Sequence, residues 1–199
     1  MSRSVLLASS SPRRRQLLDE HGIAHSAVSP PIDDGELQPG DSDPRSWVVA
    51  LAHLKARSVA DDTNTGALVL GSDTVVVKGD SIIGQPRDRA HAAEIIRRLA
   101  GGAHAVLTGV AIIDSESGQR HHFVDASDVT VGAIDEDAIN AYLDSGAWQG
   151  KAGAYNLMDR INASWPIEYE GDPTTVMGLP MRRLAPLLRS LGAEAPDAV

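Results

Sequence analysis

Two long β-prone runs, residues 105–113 and 120–131, are separated only by the polar turn at 114–118. Such a pair reads as an antiparallel hairpin. Shorter apolar runs at 5–8, 25–28, 67–71, 75–77 and 82–83 alternate with segments of helical periodicity, and residues 167–169 form a last short strand candidate. Alternation around a central hairpin predicts an α/β protein with a mixed β-sheet and flanking helices, and polar loops at both ends of the chain could meet across a central cleft between two lobes. With 199 residues, 42% of them hydrophobic, the chain can bury a stable interior. It is read as one domain over 1–199, with 192–199 as a flexible tail.

Helix boundaries follow from capping chemistry. Ser11 precedes Pro12, a residue suited to the first helical position, and the helix is expected over 12–20, stopping at Gly22. Asp43 and Pro44 open a second helix to about Ala60, with Trp47, Leu51 and Leu54 at helical spacing. Lys55 follows Leu54, where a lysine ordinarily snorkels to the surface. Asp88 caps a third helix that carries Ala92, Ile95, Ile96 and Leu99 and ends at Gly101-Gly102, and Asp135 caps a fourth. In the final helix, Pro186 predicts a kink or an early end. The polar triplet Ser72-Asp73-Thr74 is read as a break between two strands that holds one carboxylate rigidly.

Composition narrows the chemistry. Cysteine is absent, which excludes disulfides, zinc thiolates and thiol nucleophiles. The N-terminal apolar run is too short for a signal peptide core, and no stretch approaches a membrane helix, so a soluble cytoplasmic protein without a membrane partner is expected. A net charge of −9, from 27 acidic and 18 basic residues, argues against a nucleic-acid polymer as partner. Arg13, Arg14 and Arg15 nevertheless cluster at a helix start, where backbone amides and cations suit a small anion.

Three features call for a common explanation: the arginine cluster, acids at Asp33, Asp34, Asp73 and Asp88, and lysines at Lys55 and Lys151. Cations can orient a triphosphate, and carboxylates can hold magnesium and take a proton from attacking water. No covalent nucleophile stands out. Neither GxxxxGK[ST] nor GxGxxG after the first strand is present, which argues against P-loop and dinucleotide-binding folds. His121-His122 reads as an exposed strand pair.

In ordered blocks over about residues 5 to 191, the chain resembles the Maf family of septum-formation-associated nucleoside triphosphate pyrophosphatases. The blocks are Leu7-Ala8-Ser9-Ser10-Ser11-Pro12-Arg13-Arg14, Asp33-Asp34, Leu51-Ala52-His53-Leu54-Lys55-Ala56, Gly71-Ser72-Asp73-Thr74, Gly84-Gln85-Pro86-Arg87-Asp88, Lys151-Ala152-Gly153-Ala154-Tyr155 and Val176-Met177-Gly178-Leu179-Pro180. The resemblance implies a Maf/ITPase-like fold, often dimeric. It also implies Mg2+ or Mn2+ dependence and cleavage of a nucleoside triphosphate to a monophosphate and diphosphate.

Carried over by resemblance, Asp73 is the catalytic acid and a metal ligand, and Arg13 and Lys55 assist at the phosphates. Ser9, Ser11, Arg14 and Lys151 bind substrate, Asp88 supports phosphates and metal, and Asp33 and Asp34 are further metal ligands. Asp34 stands where the family commonly has glutamate, one methylene longer. Arg13 and Thr74 match the dTTP/UTP-cleaving branch, whose third residue, a glutamine in a tyrosine-glycine-isoleucine-glutamine-glycine run, is Met158 here. Methionine cannot present an amide to a base. Gln85 replaces a usual lysine. The branch acting on 7-methyl-GTP tends to have tyrosine at position 13 and glutamine at 74, yet residues 171–175 look like that branch. The base stays open. Two rival readings are a catalytically weak nucleotide-binding regulator of division and an interaction protein whose acids form a solvated face.

Overall fold

The computed structural model describes residues 3–32, 37–61 and 66–193. In chain order the elements are β1 (Val5–Ala8), α1 (Pro12–Glu20), β2 (His25–Val28), α2 (Pro44–Ala60), β3 (Leu68–Lys78), β4 (Ser81–Ile83) and α3 (Arg89–Leu99). They continue as β5 (Gly102–Asp114), β6 (Arg120–Val131), α4 (Glu136–Asp144), α5 (Leu157–Asn162), β7 (Ile167–Glu170), α6 (Pro173–Val176) and α7 (Met181–Ser190). The strands form one mixed sheet in the order β2-β1-β3-β5-β6-β7, with β4 paired to β3. β1 runs parallel to both β2 and β3, whereas β3, β5, β6 and β7 are mutually antiparallel neighbours. The α/β class and the central hairpin are as expected. No described helix is long and apolar enough to cross a membrane.

The four anticipated caps are formed. Ser11, Asp43, Asp88 and Asp135 each accept a backbone N–H from the first turn of the helix they precede, which satisfies donors that have no partner inside the helix. Other expectations need correction. The triplet at 72–74 does not interrupt a strand, because β3 continues through it with a β5 partner at every position. The strand after α3 begins at Gly102, three residues earlier than expected. α7 runs on to Ser190 with Pro186 inside it, its apolar face of Leu184, Ala185 and Leu188 held in the core. Two short helices, α5 and α6, were not anticipated; neither is long enough to show a period. Gly192 and Ala193 are tied back by pairing with Arg3.

Alternation along β3 sends its residues to two faces. On one face Val69 and Val75 meet α2, which packs through Val48, Ala52 and Ala56. On the other, Leu68 and Leu70 join a core with α1 and α7, and Val76 joins a second core with α3 and α4. Two separate cores thus lie along one face of the sheet. Between them the strands carry polar residues, Ser72 and Thr74 on β3, Thr108 on β5 and Ser127 on β6.

Two glycines determine how closely α2 approaches. A Cβ at Gly71 would stand 2.2 Å from the Ala52 carbonyl oxygen, and one at Gly109 would stand 2.4 Å from that of Val48. Real carbon–oxygen contacts do not reach these distances, so the helix backbone lies directly on the sheet there. Gly71→Ala and Gly109→Ala are each expected to lower stability by about 1–3 kcal/mol through overpacking. Urea unfolding monitored by circular dichroism measures this, with the exposed Gly118→Ala, at a positive φ but in open space, as a control for backbone strain alone.

Candidate active site

The site forms at a gap along one edge of β3. β1 pairs with β3 only as far as Gly71, and β4 begins pairing at Val76. Among the described residues, 72–75 therefore have a strand neighbour on the β5 side only. β1 ends at Ala8, and the chain turns through Ser9, Ser10 and Ser11 into α1 just where this gap opens. A cavity of about 600 Å³ lies there, lined by Ser9, Ser11, Arg13, Arg14, Lys55, Gln85 and Lys151 among others. A contiguous inner recess of about 120 Å³ reaches Asp73 and Thr74.

Tertiary packing gathers the cations. Lys55 is buried, only 8% exposed, and its Nζ donates to Asp73 Oδ1 at 2.5 Å. It is thus no snorkelling surface lysine; the close approach of α2 turns it inward onto a carboxylate of equal burial. Arg14 Nε donates to the Gly178 carbonyl at 3.0 Å and its Nη1 to Ser9 Oγ at 3.2 Å. Ser72 Oγ donates to the same Gly178 oxygen at 2.8 Å. The loop before α7 is thereby pinned to β3 and α1 together. Arg13 points across the cavity, with its Nη2 3.5 Å from Asp159 Oδ1 on α5.

Lys151 enters from the opposite lobe on a tightly held turn. Gly153 N donates to the Gly84 carbonyl beside Gln85, and the Tyr142 hydroxyl donates to the Ala154 carbonyl. Gly153 and Ala154 both have positive φ, 70° and 61°, the second an uncommon conformation for a residue with a side chain. Tyr155, which lines the recess, bonds through its hydroxyl to the buried His104 Nε2 at 2.8 Å. Burial, aided by the Lys78 charge, pushes the His104 pKa down to about 4, so the imidazole is neutral at pH 7.

Not every residue singled out from the sequence lies in the cavity. Asp88 is exposed and serves as the cap of α3, its Oδ1 accepting His91 N at 2.8 Å. Met158 packs against the core of α3 and α4 and does not line the cavity. Asp33 and Asp34 lie outside the described residues. In place of Met158, α5 and the residue before it bring Asp159 and Asn156 to the cavity. Asn156 Oδ1 is buried with no hydrogen-bond partner among the described residues. Sequence reading passed over Asn156 because α5 is short. It also passed over Thr108, although a lone hydroxyl in the apolar run of β5 is a visible signal.

The model of the Maf-like protein family matches residues 4–191. The chain belongs to that family. The protein named dTTP/UTP pyrophosphatase of Pelotomaculum thermopropionicum is 40% identical over 190 residues, covering 96% of this chain and 97% of its own length. The one so named in Salinibacter ruber is 39% identical over 198 residues, with 100% and 96% covered. That of Lachnoclostridium phytofermentans is 34% identical over 193 residues, with 96% of each covered. Among solved structures, the Staphylococcus aureus Ham1 protein aligns over 65% of this chain and 72% of its own, at 9% identity and a TM-score of 0.42.

The charges around Lys151 give this Maf-like protein a measurable signature. Burial lowers the Lys151 pKa from the ordinary lysine value, Asp159 opposes that shift, and Arg13 and Arg160 add to it. Asp159→Asn is therefore expected to lower the Lys151 pKa further, and Arg13→Ala to raise it. Titration of the lysine Nζ by NMR, assigned through Lys151→Arg, reads both directions.

Proposed function

We infer that this protein is a nucleoside triphosphate pyrophosphatase that hydrolyses the α–β phosphoanhydride, releasing a nucleoside monophosphate and diphosphate. The observation that carries the reading is Asp73, a carboxylate held by Lys55 at the inner end of a cleft whose mouth is lined by Arg13, Arg14 and Lys151. Full-length relatives named dTTP/UTP pyrophosphatase support it.

The residues divide the work by charge. Arg13, Arg14 and Lys151 are placed to neutralise and orient the phosphates, whose negative charge would otherwise repel the acidic chain. The 9–11 turn and the start of α1 add backbone donors on the same side. Lys55 is held on Asp73 and fixes where that carboxylate points. Asp73 accepts the proton of the water that attacks phosphorus as the α–β bond breaks, and diphosphate leaves with its charge spread over the surrounding cations.

A divalent cation fits this donor set. Magnesium and manganese take oxygen ligands and are commonly held by one or two carboxylates together with substrate phosphates and water. Asp73 supplies one such oxygen donor at the recess, and Asp33 and Asp34 remain further candidates. No group of three or more potential ligands is formed among the described residues, so substrate oxygens would complete the shell. When bound, Mg2+ or Mn2+ supplies neutralisation of phosphate charge and acidification of water.

Purified protein is expected to release diphosphate from nucleoside triphosphates with Mg2+ or Mn2+, and chelation with EDTA is expected to abolish release. Asp73→Asn should lower kcat by about 10²–10⁴-fold, the usual weight of a general base, while retaining nucleotide binding. A wild-type protein that binds nucleotides without releasing diphosphate would instead be a regulator, the reading motivated by Gln85 and Met158.

A further inference from the structure

We propose that Thr108, which the mechanism above does not use, sets the hydrogen-bond polarity of the recess by making Thr74 an acceptor, and so selects a nucleotide that brings a donor to that point. The inference rests on the reading of the cleft as a nucleotide site and adds to it what the inner end recognises.

The argument is one of counting protons. Thr108 Oγ1 lies 2.7 Å from the Thr175 carbonyl oxygen. Two oxygens at that separation need a proton between them, and the carbonyl has none, so the Thr108 hydroxyl donates to it. Thr108 Oγ1 also lies 2.8 Å from Thr74 Oγ1. That contact needs a proton as well, and the only one left is that of Thr74. The single hydrogen of the Thr74 hydroxyl is therefore committed to Thr108, and only lone pairs remain for the recess that Thr74 lines.

The relay is held from behind. Thr108 and Thr175 are fully buried, Thr175 Oγ1 donates to Asp125 Oδ2 at 2.5 Å, and Thr175 O also receives Gly178 N at 3.1 Å. Thr74 and Thr108 are direct cross-strand partners of β3 and β5, so strand register maintains their separation. Asp73 faces α2 and Lys55, whereas Thr74 faces Thr108 on the other side of β3, so Asp73 is left to the phosphates while the acceptor-only Thr74 hydroxyl favours an N–H or O–H of the nucleoside. A substrate lacking that donor would leave a lone pair facing a lone pair, a mismatch polar sites reject strongly.

The donor has two possible sources, the base and the ribose, and three analogues of UTP separate them. Pyrimidin-2-one riboside triphosphate lacks O4 and has an N3 that accepts instead of donating; 2′-deoxy- and 3′-deoxy-UTP each lack one ribose hydroxyl. The measurement is kcat/KM for all four in the wild type, Thr108→Val and Thr108→Ser, with Kd by calorimetry on the same set. Valine matches threonine in shape, and Thr175 O keeps its Gly178 partner, so folding should survive.

In the wild type and Thr108→Ser, at least one analogue should lose about tenfold or more against UTP, as removal of a paired polar group does. In Thr108→Val, where Thr74 can turn its proton to the recess, that discrimination should shrink or invert. The proposal is overturned if the wild type treats all three analogues like UTP, or if Thr108→Val discriminates as the wild type does. Absence of diphosphate release from any nucleoside triphosphate would count against the pyrophosphatase reading instead, and the Kd ratios would then decide the role of Thr108.

Discussion

Most of what this molecule can do depends on how closely helix α2 lies against the sheet. At Gly71 on β3 and at Gly109, which pairs with Asp73 from β5, no Cβ separates the helix backbone from the strands. That contact brings Lys55 within hydrogen-bond distance of Asp73 and buries both. An ion pair withdrawn from water interacts strongly and is costly unless its geometry is good, so the approach of the helix and the placement of the pair are one constraint. A side chain at either glycine would lift α2 and leave the lysine short of its carboxylate.

The same edge of β3 explains why a chain of net charge −9 can attract a polyanion. Its cations are not spread over the surface but converge from three parts of the sequence, the start of α1, the middle of α2 and the turn before α5. Short-range contacts decide local potential, because salt screens charges beyond roughly 10 Å. Asp159 opposite Arg13 is the acid that tempers this cluster at the cavity mouth. Further in, the recess changes character. Asp73 and Thr74 accept hydrogen bonds, and the polar seam of Ser72, Thr108 and Thr175 behind them leaves no hydroxyl of Thr74 free to donate. Cations shared by mouth and recess, with an acceptor at Thr74, suit a ligand that carries both phosphate oxygens and a hydrogen-bond donor.

Much of the architecture was legible in the sequence because it follows from local rules. Period-two runs marked the hairpin, and Ser11, Asp43, Asp88 and Asp135 marked helix starts through the amides they satisfy. Local rules failed where their range ended. Ser72-Asp73-Thr74 read as a break because three polar residues rarely lie in a central strand, yet they sit at the one stretch of β3 whose outer edge opens on the cleft. Pro186 read as a kink or an early end; the early end does not occur, because the burial of α7 against β1 and β3 outweighs one missing backbone hydrogen bond.

The order of the motif blocks by itself determined family membership, the mixed α/β class and the residue types available for phosphate chemistry, because these depend on composition and spacing along the chain. Only the tertiary structure decided which of those residues meet. Lys55 was ambiguous until the glycines brought α2 onto the sheet, Asp88, which carried the resemblance, and Met158, which departs from it, lie outside the cavity, and Asn156 and Thr108 entered the site without a motif of their own. Side-chain direction is determined by packing between elements distant in sequence, and hydroxyl direction by the partners found there; neither is written in the spacing of one strand.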